Sequence, residues 1–92
     1  MKIKNITGSR SEYYRKIGKK EWLNVMGKTA LPKCQILGCG EDATDASHVL
    51  TSKHTNCWFL LPECHEHNED ESQWLDTKAT AAENLVKVAD IK

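Results

Sequence analysis

The stretch Leu61-Pro62-Glu63-Cys64-His65-Glu66-His67-Asn68 decides how this 92-residue chain is read. Cys64 and His67 are spaced i, i+3, and on a helix such positions share a face, so both can reach one ion. His65 lies about 100° round the helix from Cys64 and is the poorer partner. A second pair lies upstream in Cys34-Gln35-Ile36-Leu37-Gly38-Cys39-Gly40. Its two glycines permit the tight backbone a chelating loop requires. Structural zinc takes four thiolate or imidazole ligands in a tetrahedron, usually as two short-spaced pairs. Cys34, Cys39, Cys64 and His67 are therefore the candidate zinc ligands. Two disulfides, or buried free thiols, are the alternatives the spacing leaves open. Cys57 is the odd one out and reads as a small hydrophobe in a buried strand.

A metal staple suits the composition. Leu, Ile, Val and Phe total 18 residues, about a fifth of the chain, the lower edge for a globular domain. A domain this short buries only roughly 60% of its unfolded surface. A thin core of this kind calls for a disulfide, a metal or a partner. No segment approaches the ~20 apolar residues of a membrane helix, and the first residues carry no apolar run of signal-peptide length. The expected setting is a reducing cytoplasm without membrane contact, where cysteines serve metals or stay as thiols.

The net charge is zero, which excludes a uniformly basic nucleic-acid-coating protein or a uniformly acidic tail. Yet the charge is divided. Residues 1–33 hold nine basic and two acidic residues, a balance of +7, and residues 34–92 carry −7. The chain thus reads as a basic N-terminal arm, 1–33, joined to a zinc-binding module, 34–92, within one compact domain. Such an arm can dock on phosphates or on an acidic protein surface. The alternative is that the two halves neutralise each other.

In the arm, Ser9-Arg10-Ser11-Glu12 has capping-box spacing. Tyr13, Tyr14, Ile17, Trp22, Val25 and Met26 follow at near-helical intervals. One interrupted helix or two short ones are predicted over 10–26, weakened at Gly18 and stopped by Gly27. Ala46 to Thr51 reads as a strand, Ser52-Lys53-His54-Thr55-Asn56 as a turn, and Cys57 to Leu61 as a second strand buried on both faces. Pro62 is predicted to end that strand and start a helix, with Glu63 and Glu66 in its first turn. Trp74 and Leu75 read as core. Ala79 to Glu83 is helix-prone, and Leu85 to Ala89 is a candidate final strand.

With these residues in place, the sequence resembles the HNH, or ββα-metal, endonucleases and their treble-clef relatives. The pieces that match are Cys34 and Cys39, the strand Ser47-His48-Val49, and Leu61-Pro62-Glu63-Cys64-His65-Glu66-His67-Asn68. The likeness is strongest to small domains with an Ala-His-Val-like strand and a Pro-x-Cys-x2-His-Asn helix entry, and covers about residues 34–75. It implies an α+β fold: a small zinc-stabilised treble clef with an added N-terminal helical segment. It also implies that His48 is a general base, that Asn68 ligates a divalent cation such as Mg, and that Asn56 braces the hairpin. Ser47 departs from the family's Asp, which leaves the cation without a charged ligand from that position. Glu69, Glu71 and Asp45 are candidate replacements.

The expected function is accordingly a zinc-stabilised binding module that engages nucleic acid or a partner protein through its basic arm and hairpin. The rival is a metal-dependent nuclease with His48 as base.

Overall fold

The computed structural model describes residues 1–6 and 16–91. It is a small α+β fold built on one antiparallel sheet. Its strands are β1 (Lys2–Asn5), β2 (Asp45–Thr51), β3 (His54–Glu63), β4 (Leu75–Asp76) and β5 (Val86–Lys87), in the order β4-β1-β2-β3-β5. Two helices, α1 (Lys19–Met26) and α2 (His65–Asn68), and two 3-10 turns, Ala79–Asn84 and Val88–Asp90, complete it.

The alternating side chains of β3 account for the two cores. Leu61 faces one side of the sheet, with Ile3, Val49, Ile36, Cys34, Cys64 and Ala81. Its neighbour Leu60 faces the other, with Trp22, Ile17, Val86, Val88 and Ile91. The apolar run of β3 is thus buried on both faces at Leu60 and Leu61, whereas Cys57, Trp58 and Phe59 are half-buried.

Helix α1 begins after Gly18, whose N–H donates to the Glu21 carboxylate at 2.8 Å. It stops at Gly27, which adopts the left-handed conformation (φ 64°), with the Lys28 N–H returning to the Leu23 carbonyl. The predicted cap at Ser9 to Glu12, and Tyr13 and Tyr14, lie outside the described residues.

Several local expectations are corrected. Ser52 and Lys53 alone make the hairpin turn, and His54, Thr55 and Asn56 belong to β3. The Thr51 hydroxyl accepts the His54 N–H at 3.1 Å, which closes the hairpin earlier than composition suggests. Pro62 does not start the helix. It stands in β3 opposite Ala46, and its carbonyl accepts the Gln35 N–H. The proline φ suits extended backbone as well as a first helical turn. Glu63 is therefore a fully buried strand residue, and only Glu66 lies in the first turn of α2.

Trp74 is 38% exposed rather than core, although Leu75 packs on the Leu61 side. The expected last strand is reduced to Val86–Lys87, opposite Leu60 and Phe59. A 3-10 turn follows it, and places Val88 and Ile91 in the Trp22 cluster. The helix-prone Ala79 segment winds as a 3-10 turn. β1 has little sequence signal, since Lys2-Ile3-Lys4-Asn5 offers a single apolar residue to mark it. It pairs with both β2 and β4.

Asn5, Ser47 and Glu63 carry buried side-chain oxygens that lack a hydrogen-bond partner among the described residues. Burial pushes the Glu63 carboxyl up to about 7, against the weaker opposite pull of neighbouring Asn5 and Ser47. A neutral Glu63 has a proton to give, and so can satisfy an adjacent oxygen. This has a signed consequence for stability. Below the ordinary 4.5 both folded and unfolded states hold the proton. As pH rises toward 7 only the unfolded state releases it, so stability falls across that window and then levels off. The Glu63→Gln variant, neutral at every pH, is expected to lack this loss. Its advantage over wild type should widen by about 2 kcal/mol between pH 5 and 7.5. Urea unfolding of the zinc-loaded proteins at both pH values checks this, and parallel pH dependence of the two would count against a neutral Glu63.

Candidate metal centre

The loop from Cys34 to Cys39, the end of β3 and the single turn of α2 meet on the Leu61 side of the sheet. The loop is held by the Cys34 N–H on the Glu41 carbonyl at 2.9 Å and the Cys39 N–H on the Ile36 carbonyl at 3.1 Å. Of its two glycines only Gly38 needs to be glycine for its backbone, at φ 83°. Cys64 is the N-cap of α2 and still extended (φ −70°, ψ 160°), which sets its side chain beside that of His67 one turn on.

The result is a group of four. Sγ of Cys34, Cys39 and Cys64 and one ring nitrogen of His67 all lie within 4.8 Å of one another. Cys39 and Cys64 sulfurs are 3.9 Å apart, and His67 Nδ1 is 3.2 Å from Cys64 Sγ and 3.6 Å from Cys34 Sγ. Sulfurs bound at about 2.3 Å to a tetrahedral zinc stand about 3.8 Å apart, so the donor set and its spacing fit such an ion. All four cysteines of the chain are free thiols. Burial pushes the Cys34 thiol up to about 12, even with the Cys64 and Ile36 backbone N–H groups facing its sulfur. A coordinating dication is what removes such a proton.

Cys57 stands apart from this group, with its Sγ 3.6 Å from Asn56 Oδ1. His65 is also outside it. Its ring lies between Asp45 Oδ2 at 3.2 Å and Glu69 Oε1 at 2.8 Å, and the two carboxylates raise its pKa.

A cleft on the other side of α2 is lined by Asp45, Ser47, His48, Asn68, Glu69 and Glu71. His48 Nε2–H donates to the Ile17 carbonyl, which fixes the tautomer and leaves Nδ1 as the acceptor. Asn68 Nδ2 donates to Asp45 Oδ2 at 3.0 Å. The structure therefore brings His48 and Asn68 to one cleft and adds Asp45, an acid two residues before Ser47 in β2. Asn56 is exposed and bonds only within its own strand among the described residues, so it does not brace the hairpin.

A different asparagine, Asn5, makes the long-range tie at this site, and sequence reasoning misses it. Its Nδ2 donates to the carbonyls of His67 (2.7 Å) and Asp70 (2.8 Å), tying β1 to the end of α2. Gln35 is a second such residue. Buried beside Cys34, its Oε1 accepts from Thr80 Oγ1 at 2.7 Å. Nothing in the residue types next to Asn5 or Gln35 signals bonds to segments this distant in the chain.

No family model, curated protein or solved structure matches this chain.

Proposed function

We propose that this chain is a zinc-stabilised treble-clef module that binds nucleic acid through its basic N-terminal segment. Cys34, Cys39, Cys64 and His67 would hold the ion, and the loop, hairpin and helix would correspond to the parts of the clef. The observation that carries the binding reading is what the arm's cations do. Lys2 pairs with Asp76 at 3.8 Å and Lys33 with Asp42 at 2.7 Å, both exposed. Lys19, Lys20 and Lys28, on or beside α1, have no ion pair among the described residues and line one shallow groove. Mutual neutralisation of the two halves accounts for Lys2 and Lys33 and leaves Lys19, Lys20 and Lys28 for an outside anion. The zinc-loaded chain is expected to bind nucleic acid with an affinity that falls steeply with salt, as counterion release demands. Fluorescence anisotropy across a salt series tests this, and an interaction insensitive to salt would point to a protein partner instead.

Hydrolysis of a phosphodiester is the second reading, favoured by the shared cleft of His48, Asn68 and Asp45. Under it His48 Nδ1 takes the proton of the attacking water, with Ile17 holding the ring. A divalent cation such as Mg would supply the charge stabilisation, with Asn68 and Asp45 as its holders. Two features oppose it. His65 and Asn68 already engage Asp45, and the acids around the cleft repel phosphate. Divalent-dependent nicking of plasmid DNA, lost in His48→Ala with zinc content unchanged, is the expected signature. Intact plasmid in the presence of magnesium, manganese and nickel would eliminate it.

A further inference from the structure

The exposed face of α1 is specific in composition. Lys19, Lys20, Leu23 and Asn24 fall at i, i+1, i+4 and i+5, on one side of the helix, and Lys28 follows just past its end. Lys19, Lys20, Asn24 and Lys28 are exposed and Leu23 is half-buried. Trp22 anchors the opposite side in the core. We infer that this face enters the major groove of duplex DNA, with the lysines on phosphates and Asn24 on a base edge. The inference rests on the nucleic-acid reading above and names its surface and its substrate class.

Length supports it. From Lys19 to Met26 the helix rises about 10 Å, and Lys28 follows the left-handed Gly27 that ends it. The major groove of B-form DNA is about 12 Å wide. A helix with its side chains is of similar diameter and fits within it, and cations at the two ends of the face can reach the phosphates that border the groove. Asn24 and Leu23 lie between them. An asparagine amide can pair with the N6 and N7 edge of adenine, and an aliphatic side chain can touch the thymine methyl. Asn24 has no side-chain hydrogen bond among the described residues, so its amide is available for such a pair. Lysines give register and affinity without sequence information, whereas the amide supplies the reading. The A-form major groove of RNA is too deep and narrow for a helix face, so duplex RNA is the discriminating competitor. Lys19 also borders the cleft of Asp45, Glu69 and Glu71. Those acids repel the backbone there, which makes binding weaker than the lysines alone would.

The test uses the full zinc-loaded chain and short duplex DNA of randomised sequence, with duplex RNA of matching sequence and poly-glutamate as competitors. DNA should be bound in preference to both. Changing Lys19, Lys20 and Lys28 together to Gln should flatten the slope of log affinity against log salt by about 2.7, near 0.9 for each phosphate that is no longer neutralised. Asn24→Ala should instead relax sequence preference by about 5- to 150-fold with the salt slope kept. Lys28 lies 6.0 Å over the Trp22 ring, so Lys20→Gln alone, expected to flatten the slope by about 0.9, serves should the triple variant fold poorly. Retention of the wild-type slope in these variants would overturn the assignment of this face and leave nucleic-acid binding standing. Equal binding of duplex RNA would overturn the major-groove placement. Absence of binding to any nucleic acid, or displacement by poly-glutamate, would remove both this inference and the function it rests on.

Discussion

A strong chelator is expected to unfold this chain outright. The zinc assignment makes the ion the largest single contribution to the fold. Structural zinc supplies apparent folding free energy of roughly 10–16 kcal/mol at neutral pH, against a net stability of about 5–15 kcal/mol for a whole domain. The Leu61 cluster has few members, and two of its buried residues are the candidate ligands Cys34 and Cys64. Without the ion those thiols remain as small hydrophobes around a polar imidazole, and the tie it makes between the Cys34 loop and α2 is gone. Far-UV circular dichroism and a thermal melt before and after chelation give the measurement. The signal should collapse without zinc and return on adding one equivalent. Substitution sharpens the result. Cys64→Ala should purify without stoichiometric zinc and unfolded, whereas Cys57→Ala should keep both metal and fold, because Cys57 lies outside the group. A cooperative melt that persists in a sample shown by elemental analysis to be metal-free would defeat the assignment.

The parts of this architecture legible in the sequence are those written as short-range chemistry. The x4 and x2 spacings mark Cys34, Cys39, Cys64 and His67, which the fold brings to one place, and the apolar run around Leu60 and Leu61 marks the central strand. Gly27 stops α1 as its position after Met26 suggests. What sequence does not supply is long-range. Whether Asn5 bonds to carbonyls 62 and 65 residues away depends on β1 joining the sheet, and four residues with one apolar side chain do not announce a strand. Glu63 reads as a favourable first-turn carboxylate because proline precedes it, yet the strand continues through Pro62 and buries the acid. Trp74 reads as core because it is large and apolar, but size does not fix which side of a chain meets the protein. Asp45 shows the same limit in the cleft. Its distance from Asn68 is a product of sheet register, the Asp45–Glu63 pairing that brings the start of β2 beside the entry to α2.

The face of the sheet opposite the metal makes its own prediction. Trp22→Ala should lower stability by about 3–5 kcal/mol, the usual cost of removing a buried large aromatic side chain. Trp22 is fully buried among Leu60, Val86, Val88 and Ile91, all small or medium residues that cannot expand to fill its volume. Its Nε1–H also donates to the Asn84 carbonyl at 2.8 Å, a bond that fastens α1 to the segment leading into β5. Truncation leaves that carbonyl buried without this donor, a further reason to expect the upper part of the range. For a chain this short the melting temperature should fall by on the order of 15 °C or more. Trp22→Phe weighs the two contributions, since it keeps a six-membered ring in the cluster and loses the donor with a smaller loss of volume. It should fall between wild type and Trp22→Ala. Zinc content should remain stoichiometric in both variants below their melting points, because the ligands sit across the sheet. Loss of zinc from a variant that is still folded by circular dichroism would mean that the ring on the far face shapes the metal site and that the four side chains alone do not hold the ion.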